Sequence, residues 1–282
     1  MTALDEIIPR PALVRISPSR GWWDLNLLEV WEYRELLYFF VWRDIKVRYK
    51  QTVIGAGWAL IQPFFTMVVF TVFFGKLARI PSDGVPYPVF AFTGLVPWMY
   101  FANTLSTATN SVVENQRIIT KVYFPRLILP VSAALSGLVD LSIAFVFLIG
   151  MILFYRITPT GSMWTIPLFV LLATLTALGV GIWLSALNAE YRDVRYAIPF
   201  LTQIWLFATP IAYPSSLVPV KWRAFYGLNP MAGVVEGFRW ALLGKGTAPG
   251  AMLAISVACV IVLITASVIY FQWRERVFID VV

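Results

Sequence analysis

Charged residues interrupt this 282-residue chain so rarely that the intervals between them carry the fold. Trp58–Gly75, Pro86–Val113, Ile157–Ala189, Tyr196–Val220 and Thr247–Trp273 hold no charge, and Leu127–Tyr155 holds only Asp140. A helix rises about 1.5 Å per residue, so about 20 apolar residues cross the hydrocarbon core of a bilayer. The runs therefore predict an all-α membrane protein with six spans, near 58–78, 87–109, 126–155, 163–187, 197–213 and 250–273. The fifth run is the shortest and barely spans. Prolines 63, 97, 130, 167 and 210 fall within or beside these runs, where membrane helices tolerate them.

Two further segments are apolar but do not span. Over about 28–50, the positions Leu28, Trp31, Tyr38, Trp42, Ile45 and Tyr49 recur at helical spacing. Glu29, Glu32, Arg43, Lys46 and Lys50 are expected on the other face, which predicts an amphipathic helix lying in the headgroup plane. A soluble helix packed on a partner is the alternative. Between the fifth and sixth spans, 214–246 contains Val220–Leu228 and, after Asn229-Pro230, Met231–Leu243. These pieces predict two short helices dipping into the membrane as an outer gate, with Glu236 and Arg239 spaced to pair. A hairpin lying on the surface is the other reading.

After the second span, Ser111-Val112-Val113-Glu114 matches a capping box, and Pro125 stops a helix. A basic amphipathic helix of about three turns is expected at about 112–124, with Arg117 and Lys121 on one face; a second span that runs on through the box into a solvated helix end is the alternative.

Composition sharpens this picture. The chain is 59% hydrophobic, 16% aromatic and 13% charged, against about 25% charged for soluble domains. The net charge of +7 is mostly a topology signal rather than a nucleic-acid footprint. Fifteen Lys and Arg fall on the side of both termini and seven on the other, so both termini are expected in the cytoplasm. The topology divides into a cytoplasmic segment 1–57, a membrane domain 58–273 and a cytoplasmic tail 274–282. The first twenty residues lack the features of a secretory signal peptide.

Candidate chemistry is sparse. There is no histidine and a single cysteine, Cys259, so Cys-cluster metal sites, a disulfide framework and His-based catalysis are excluded. No phosphate-cradling G-x-x-x-x-G-K-[ST] motif occurs, so ATP is not bound by that route. No metal or cofactor is expected on the chain. Asp140 is the one ionisable group deep in a span and reads equally as a structural acceptor or a lining group of a watery path. Trp98, Tyr100, Phe101, Trp205, Phe207 and Tyr213 cluster toward the outer ends of the second and fifth spans. They are candidates for stacking on sugars along a path, or for an interfacial aromatic belt. Lys46, Arg48 and Lys50 are placed to meet a lipid pyrophosphate or simply anionic lipid.

The sequence 42–52 (WRDIKVRYKQT), with Gly55, Trp58-Ala59 and Pro63, resembles the polysaccharide-exporter permeases among the ABC-2 type transporters. So do Gly94-Leu95-Val96-Pro97-Trp98, Lys121-Val122-Tyr123-Phe124-Pro125-Arg126 with Leu129-Pro130, Tyr191-Arg192-Asp193-Val194 with Pro199-Phe200, Thr209-Pro210, Tyr213-Pro214 and Leu228-Asn229-Pro230. The match runs from about Leu28 to Phe278. It implies a homodimer of six-span subunits in the bacterial inner membrane, docked on two copies of a separate ATPase that binds ATP and Mg. The cargo it implies is lipid-linked polysaccharide, most like O-antigen, with capsular or teichoic acid export as alternatives. A membrane-bound transferase is a remoter one. The resemblance makes 112–124 a coupling helix, with Glu114, Gln116, Arg117, Lys121 and Tyr123 as contacts. It makes 214–246 a gate, with Asn229, Pro230, Glu236 and Arg239 as its key residues.

Overall fold

The computed structural model describes residues 27–50, 55–158, 160–244 and 250–275. The expected N-terminal segment before residue 27, Gln51-Thr52 of the resemblance, Lys245-Gly246 of the gate region and the tail beyond 275 lie outside them. Among the described residues every regular element is helical. In chain order these are α1 (Leu27–Glu32), α2 (Arg34–Lys50), α3 (Trp58–Phe70, continued as a π-helical stretch Thr71–Leu77), α4 (Tyr87–Glu114), α5 (Gln116–Ile119), α6 (Ile128–Phe154), α7 (Ile166–Glu190), α8 (Val194–Ala208), α9 (Val220–Tyr226), α10 (Pro230–Leu243) and α11 (Ala251–Glu275).

Among the described residues, four stretches are long and apolar enough to cross a bilayer: Trp58–Leu77, Ile128–Phe154, Gly161–Glu190 and Ala251–Glu275. The other two expected spans differ for separate reasons. At 28 residues α4 is long enough, but Asn103, Ser106, Thr107 and Asn110 lower the hydropathy of its second half. At 15 residues α8 is short because Pro210 ends it: Thr209 turns extended, as a residue before proline prefers.

At the centre, α4 runs from the end of the bundle carrying α9 to the end carrying α5. It packs on α6, α7, α10 and α3. Phe90, Phe92, Leu95, Phe101 and Leu105 are fully buried there. In lipid, helices gain little from hiding apolar surface, so close backbone approach must supply the packing. Gly181 of α7 provides it against α4, where an added Cβ would lie 2.9 Å from that of Ala108. Gly237 of α10 does so against α7, where it would fall 2.1 Å from the Phe169 ring.

A second apolar cluster closes the α5 end. Phe40, Ile119, Phe124, Ile128, Ile182 and Phe271 meet there, bringing α2, α5, α6, α7 and α11 together. The outward faces of α3, α6, α8 and α11 expose large apolar side chains, among them Phe65, Val146, Phe200 and Val262.

Candidate functional site

Two regions gather the candidate residues, one at each end of the bundle. At the α5 end the expected three-turn helix 112–124 does not form. α4 continues through Glu114, because the Ser111 hydroxyl back-bonds to Ala108 O at 2.7 Å instead of capping a new helix. Asn115 then makes the joint. Its carbonyl O accepts from Ile118 N and Ile119 N, and its side chain donates to Ser111 O at 2.8 Å. One turn, α5, follows, and the chain passes through Lys121–Phe124 into Pro125 and α6.

Arg117, Ile118, Lys121, Val122 and Tyr123 nevertheless all point outward, forming one bare patch of two cations, two aliphatics and a phenol. Glu114 is exposed beside it, and Gln116 is partly exposed with a partner of its own. A shallow recess opens between Ile119, Lys121, Tyr123 and Arg126. Tyr123 donates to Glu29 Oε1 at 3.3 Å, and partial burial, then that carboxylate, push its phenol above the ordinary range.

This patch is wired to its surroundings. Arg43 of α2 donates to Asn115 Oδ1 at 2.7 Å while pairing with Asp44 at 2.8 Å. Arg126 N and its guanidinium engage Glu275 at the end of α11, and the neighbouring Arg274 pairs with Glu190 of α7. Displacement of α5 therefore meets α2, α7 and α11 as well as the two helices it joins.

Trp31 of α1 and Tyr38 and Trp42 of α2, expected on the apolar face of a helix in the headgroup plane, are exposed, and so is Phe39. Phe40 is the buried residue, against Phe124 with ring centroids 5.6 Å apart, and Arg43 and Arg48 turn toward the bundle. Arg48 and Tyr49 both bond to Asp140, halfway along α6. Asp140 is thus not an unpartnered acid. Of the three cations expected at a head group, Lys46 and Lys50 are exposed and Arg48 is committed to this pair.

At the α9 end, the break after α8 leaves carbonyls without helical partners, and backbone oxygens in a dry setting must be satisfied. Tyr213 OH donates to Phe207 O at 3.1 Å, and Tyr226 OH to Ala208 O at 2.8 Å. The Asn229 amide donates to Thr209 Oγ1 at 3.0 Å. Asn229 Oδ1 accepts from Trp205 Nε1 at 2.8 Å and from Met231 N at 3.1 Å, capping α10, with Pro230 at its first position.

Arg239 does the rest. Wholly buried on α10, it donates to Pro210 O and, at 2.8 Å, to Ile211 O, pairs with Glu236 at 3.1 Å, and stacks 3.6 Å from the Phe90 ring centroid. One planar guanidinium with five donors suits this fork. At the other end of α10, Gly244 takes a left-handed φ of 62°, the usual helix stop.

The aromatic candidates separate. Trp98, Tyr100 and Phe101 are 3%, 3% and 0% exposed, inside the packed chain rather than on an open face. Tyr100 OH contacts Thr174 Oγ1 at 2.8 Å, and Phe101 packs on Trp205 at 4.9 Å. Trp205 and Tyr213 belong to the clamp around the α8 break, leaving Phe207 exposed.

Residues 35–243, from α2 to the end of α10, match the family model described as ABC-2 type transporter. The chain belongs to the ABC-2 type transporter family. It is 30% identical over 256 residues to the "O-antigen export system permease protein RfbA" of Myxococcus xanthus, covering 88% of this chain and 96% of that one. A protein of the same name from Klebsiella pneumoniae is 31% identical, over 73% of this chain and 79% of its own. More distantly, "Polysialic acid transport protein KpsM" of Escherichia coli is 21% identical, over 83% of this chain and 91% of its own.

In this ABC-2 chain, sequence reading missed Asn115, Arg43 and the Arg126–Glu275 pair, which only a fold brings together. It also passed over Asn103, Ser106, Thr107 and Asn110, although their spacing of three, one and three residues was there to read.

Proposed function

We propose that this chain is the membrane-spanning subunit of an exporter that moves lipid-linked polysaccharide, of the O-antigen class, across a bacterial inner membrane. Energy comes from a separate ATPase that binds ATP and Mg. The observation that carries this reading is the bare Arg117–Tyr123 patch. It joins two long helices, on a chain with no nucleotide-binding motif of its own. The names of the relatives supply the cargo.

In this reading the α5 end is cytoplasmic, with Glu114, Gln116, Arg117, Lys121 and Tyr123 as ATPase contacts. α3, α4, α6, α7, α8 with its extension 209–213, and α11 are the six spans, and both termini face the cytoplasm. α9 and α10 are the re-entrant outer gate, held shut at rest by Asn229, Pro230, Glu236 and Arg239. Lys46 and Lys50 meet lipid phosphate. A homodimer suits α8, which buries only Ile198 and bares Tyr196, Phe200, Ile204 and Phe207 at helical spacing. Capsule export is the second reading, favoured by the more distant relative alone.

The test is a strain lacking this chain, complemented by an affinity-tagged copy. Loss of surface glycan with intracellular build-up of lipid-linked glycan, and co-purification of an ATPase with the tagged chain, are expected. Unchanged surface glycan defeats the cargo assignment, and a chain purified without any ATPase defeats the coupling.

A further inference from the structure

α4 turns an uncharged polar stripe outward where none of the described residues covers it. Asn103, Ser106, Thr107 and Asn110 share one helical face, which continues to Glu114. Asn103 is exposed and the next three partly so. Two and three turns toward the α9 end the same face is sealed: Val96 and Phe92 are wholly buried, Phe92 against Phe147 of α6 at 5.3 Å. The cover ends because α3 begins at Trp58. Trp58 and Gln62 share a cleft with Asn103 and Asp140, so α3 starts level with the head of the stripe.

Internal bonding occupies two of the four stripe side chains, Thr107 and Asn110, and leaves the other two. Thr107 Oγ1 donates to Asn103 O at 2.9 Å, and Asn110 Nδ2 to Ser106 O at 2.9 Å, while Asn188 donates to Asn110 Oδ1 at 3.2 Å. The Gln62 and Asn103 amides and the Ser106 hydroxyl have no hydrogen-bond partner among the described residues. An unpaired amide in hydrocarbon costs several kcal/mol. A face carrying four polar side chains over about 10 Å is therefore not a lipid face.

Its chemistry selects the occupant. Carboxamides and hydroxyls both donate and accept, and no charge occurs from Asn103 to Val113. That set matches sugar hydroxyls and serves a bare ion poorly. Trp58, 56% exposed, adds an indole face of the kind on which pyranose rings stack. Each neutral contact is weak, about 1 kcal/mol net, which suits a polymer that must slide.

We infer that Asn103, Ser106, Thr107 and Asn110, headed by Trp58 and Gln62, are the glycan-contact wall of the α5-side half of the path. This rests on the exporter reading above and assigns to α4 a role that the buried aromatics cannot fill.

The experiment uses the chain with its ATPase in cells, in a Cys259→Ser background. Asn103→Cys and Thr107→Cys are compared with Val146→Cys and Val262→Cys on outward apolar faces, 72% and 69% exposed. A small charged thiol reagent needs water to form the thiolate, so the stripe cysteines should react at least about tenfold faster. Equal rates overturn the wall while leaving the exporter reading, judged separately by surface glycan in the deletion strain. A photoactivatable benzophenone residue replacing Asn103 should yield an adduct detected by antibody to the host's glycan. Adducts to phospholipid alone, in a strain whose glycan does depend on this chain, overturn the glycan assignment. The Asn103→Leu/Thr107→Val variant should still bind its ATPase and export about tenfold more slowly, as loss of two weak contacts implies. Wild-type export by that variant also counts against the wall.

Discussion

Removing the guanidinium of Arg239 tests most directly how the α9 end is held. Arg239→Met keeps an unbranched apolar stem of similar length but deletes every donor. Four groups then lose a partner: the Glu236 carboxylate, 12% exposed, and the Pro210, Ile211 and Tyr213 carbonyls. Breaking a buried ion pair from one side costs about 3–5 kcal/mol, and each orphaned carbonyl adds about 1–3 kcal/mol before relaxation or water entry. A net loss of at least about 3 kcal/mol is expected, which for a chain this size lowers the unfolding midpoint by roughly 10 °C. Cys259, part-buried on α11, is the only thiol, so a thiol-activated fluorophore reports unfolding of the purified protein in detergent. Glu236→Leu in the same chain removes the stranded carboxylate. The double variant should therefore be more stable than Arg239→Met alone. A midpoint within about 2 °C of wild type for the single variant would refute the clamp, since that is under 1 kcal/mol. Additive losses in the double variant would refute the pairing of 236 with 239.

Charge reversal at the α5 patch, Arg117→Glu with Lys121→Glu, should leave the chain inserted and folded while ATPase co-purification falls. Loss of charged contacts worth about 2–5 kcal/mol corresponds to at least about thirtyfold weaker capture, and unaltered capture places docking elsewhere. Asp140→Asn strands Arg48 and should reduce stability and export together, whereas the swap Arg48→Asp/Asp140→Arg should recover most of the loss. A swap no better than either single change would show that the pair is incidental. Adding the Cβ of Gly237→Ala drives into Phe169 and should separate α10 from α7, raising small-solute leak. Wild-type leak and stability would contradict that close approach. With Cys259→Ser, an impermeant thiol reagent should modify Leu217→Cys in whole cells and leave Thr120→Cys untouched, and the opposite pattern would reverse the proposed orientation.

The helices themselves are written in the local sequence. A segment in lipid must satisfy its own backbone, so a long charge-free run has helix as its one available form, and α6, α7 and α11 lie within a few residues of the runs that predict them. Local punctuation is equally direct: Asn229-Pro230 starts α10, and residues 236 and 239 meet because one helical turn brings them together. Faces and partners are another matter. Tyr100 reads as an interfacial aromatic until α6 and α7 close over it, and Asp140 reads as solitary until Arg48 arrives from 92 residues away. Ser111 to Glu114 spells a helix start, yet α4 has no reason to stop there while its neighbours continue beside it. The polar stripe on α4 is visible in the sequence as spacing, but its meaning depends on α3 beginning too late to cover it. Helix formation is decided within a few turns of one chain segment, whereas exposure of a helical face is decided by whichever other segment packs against it.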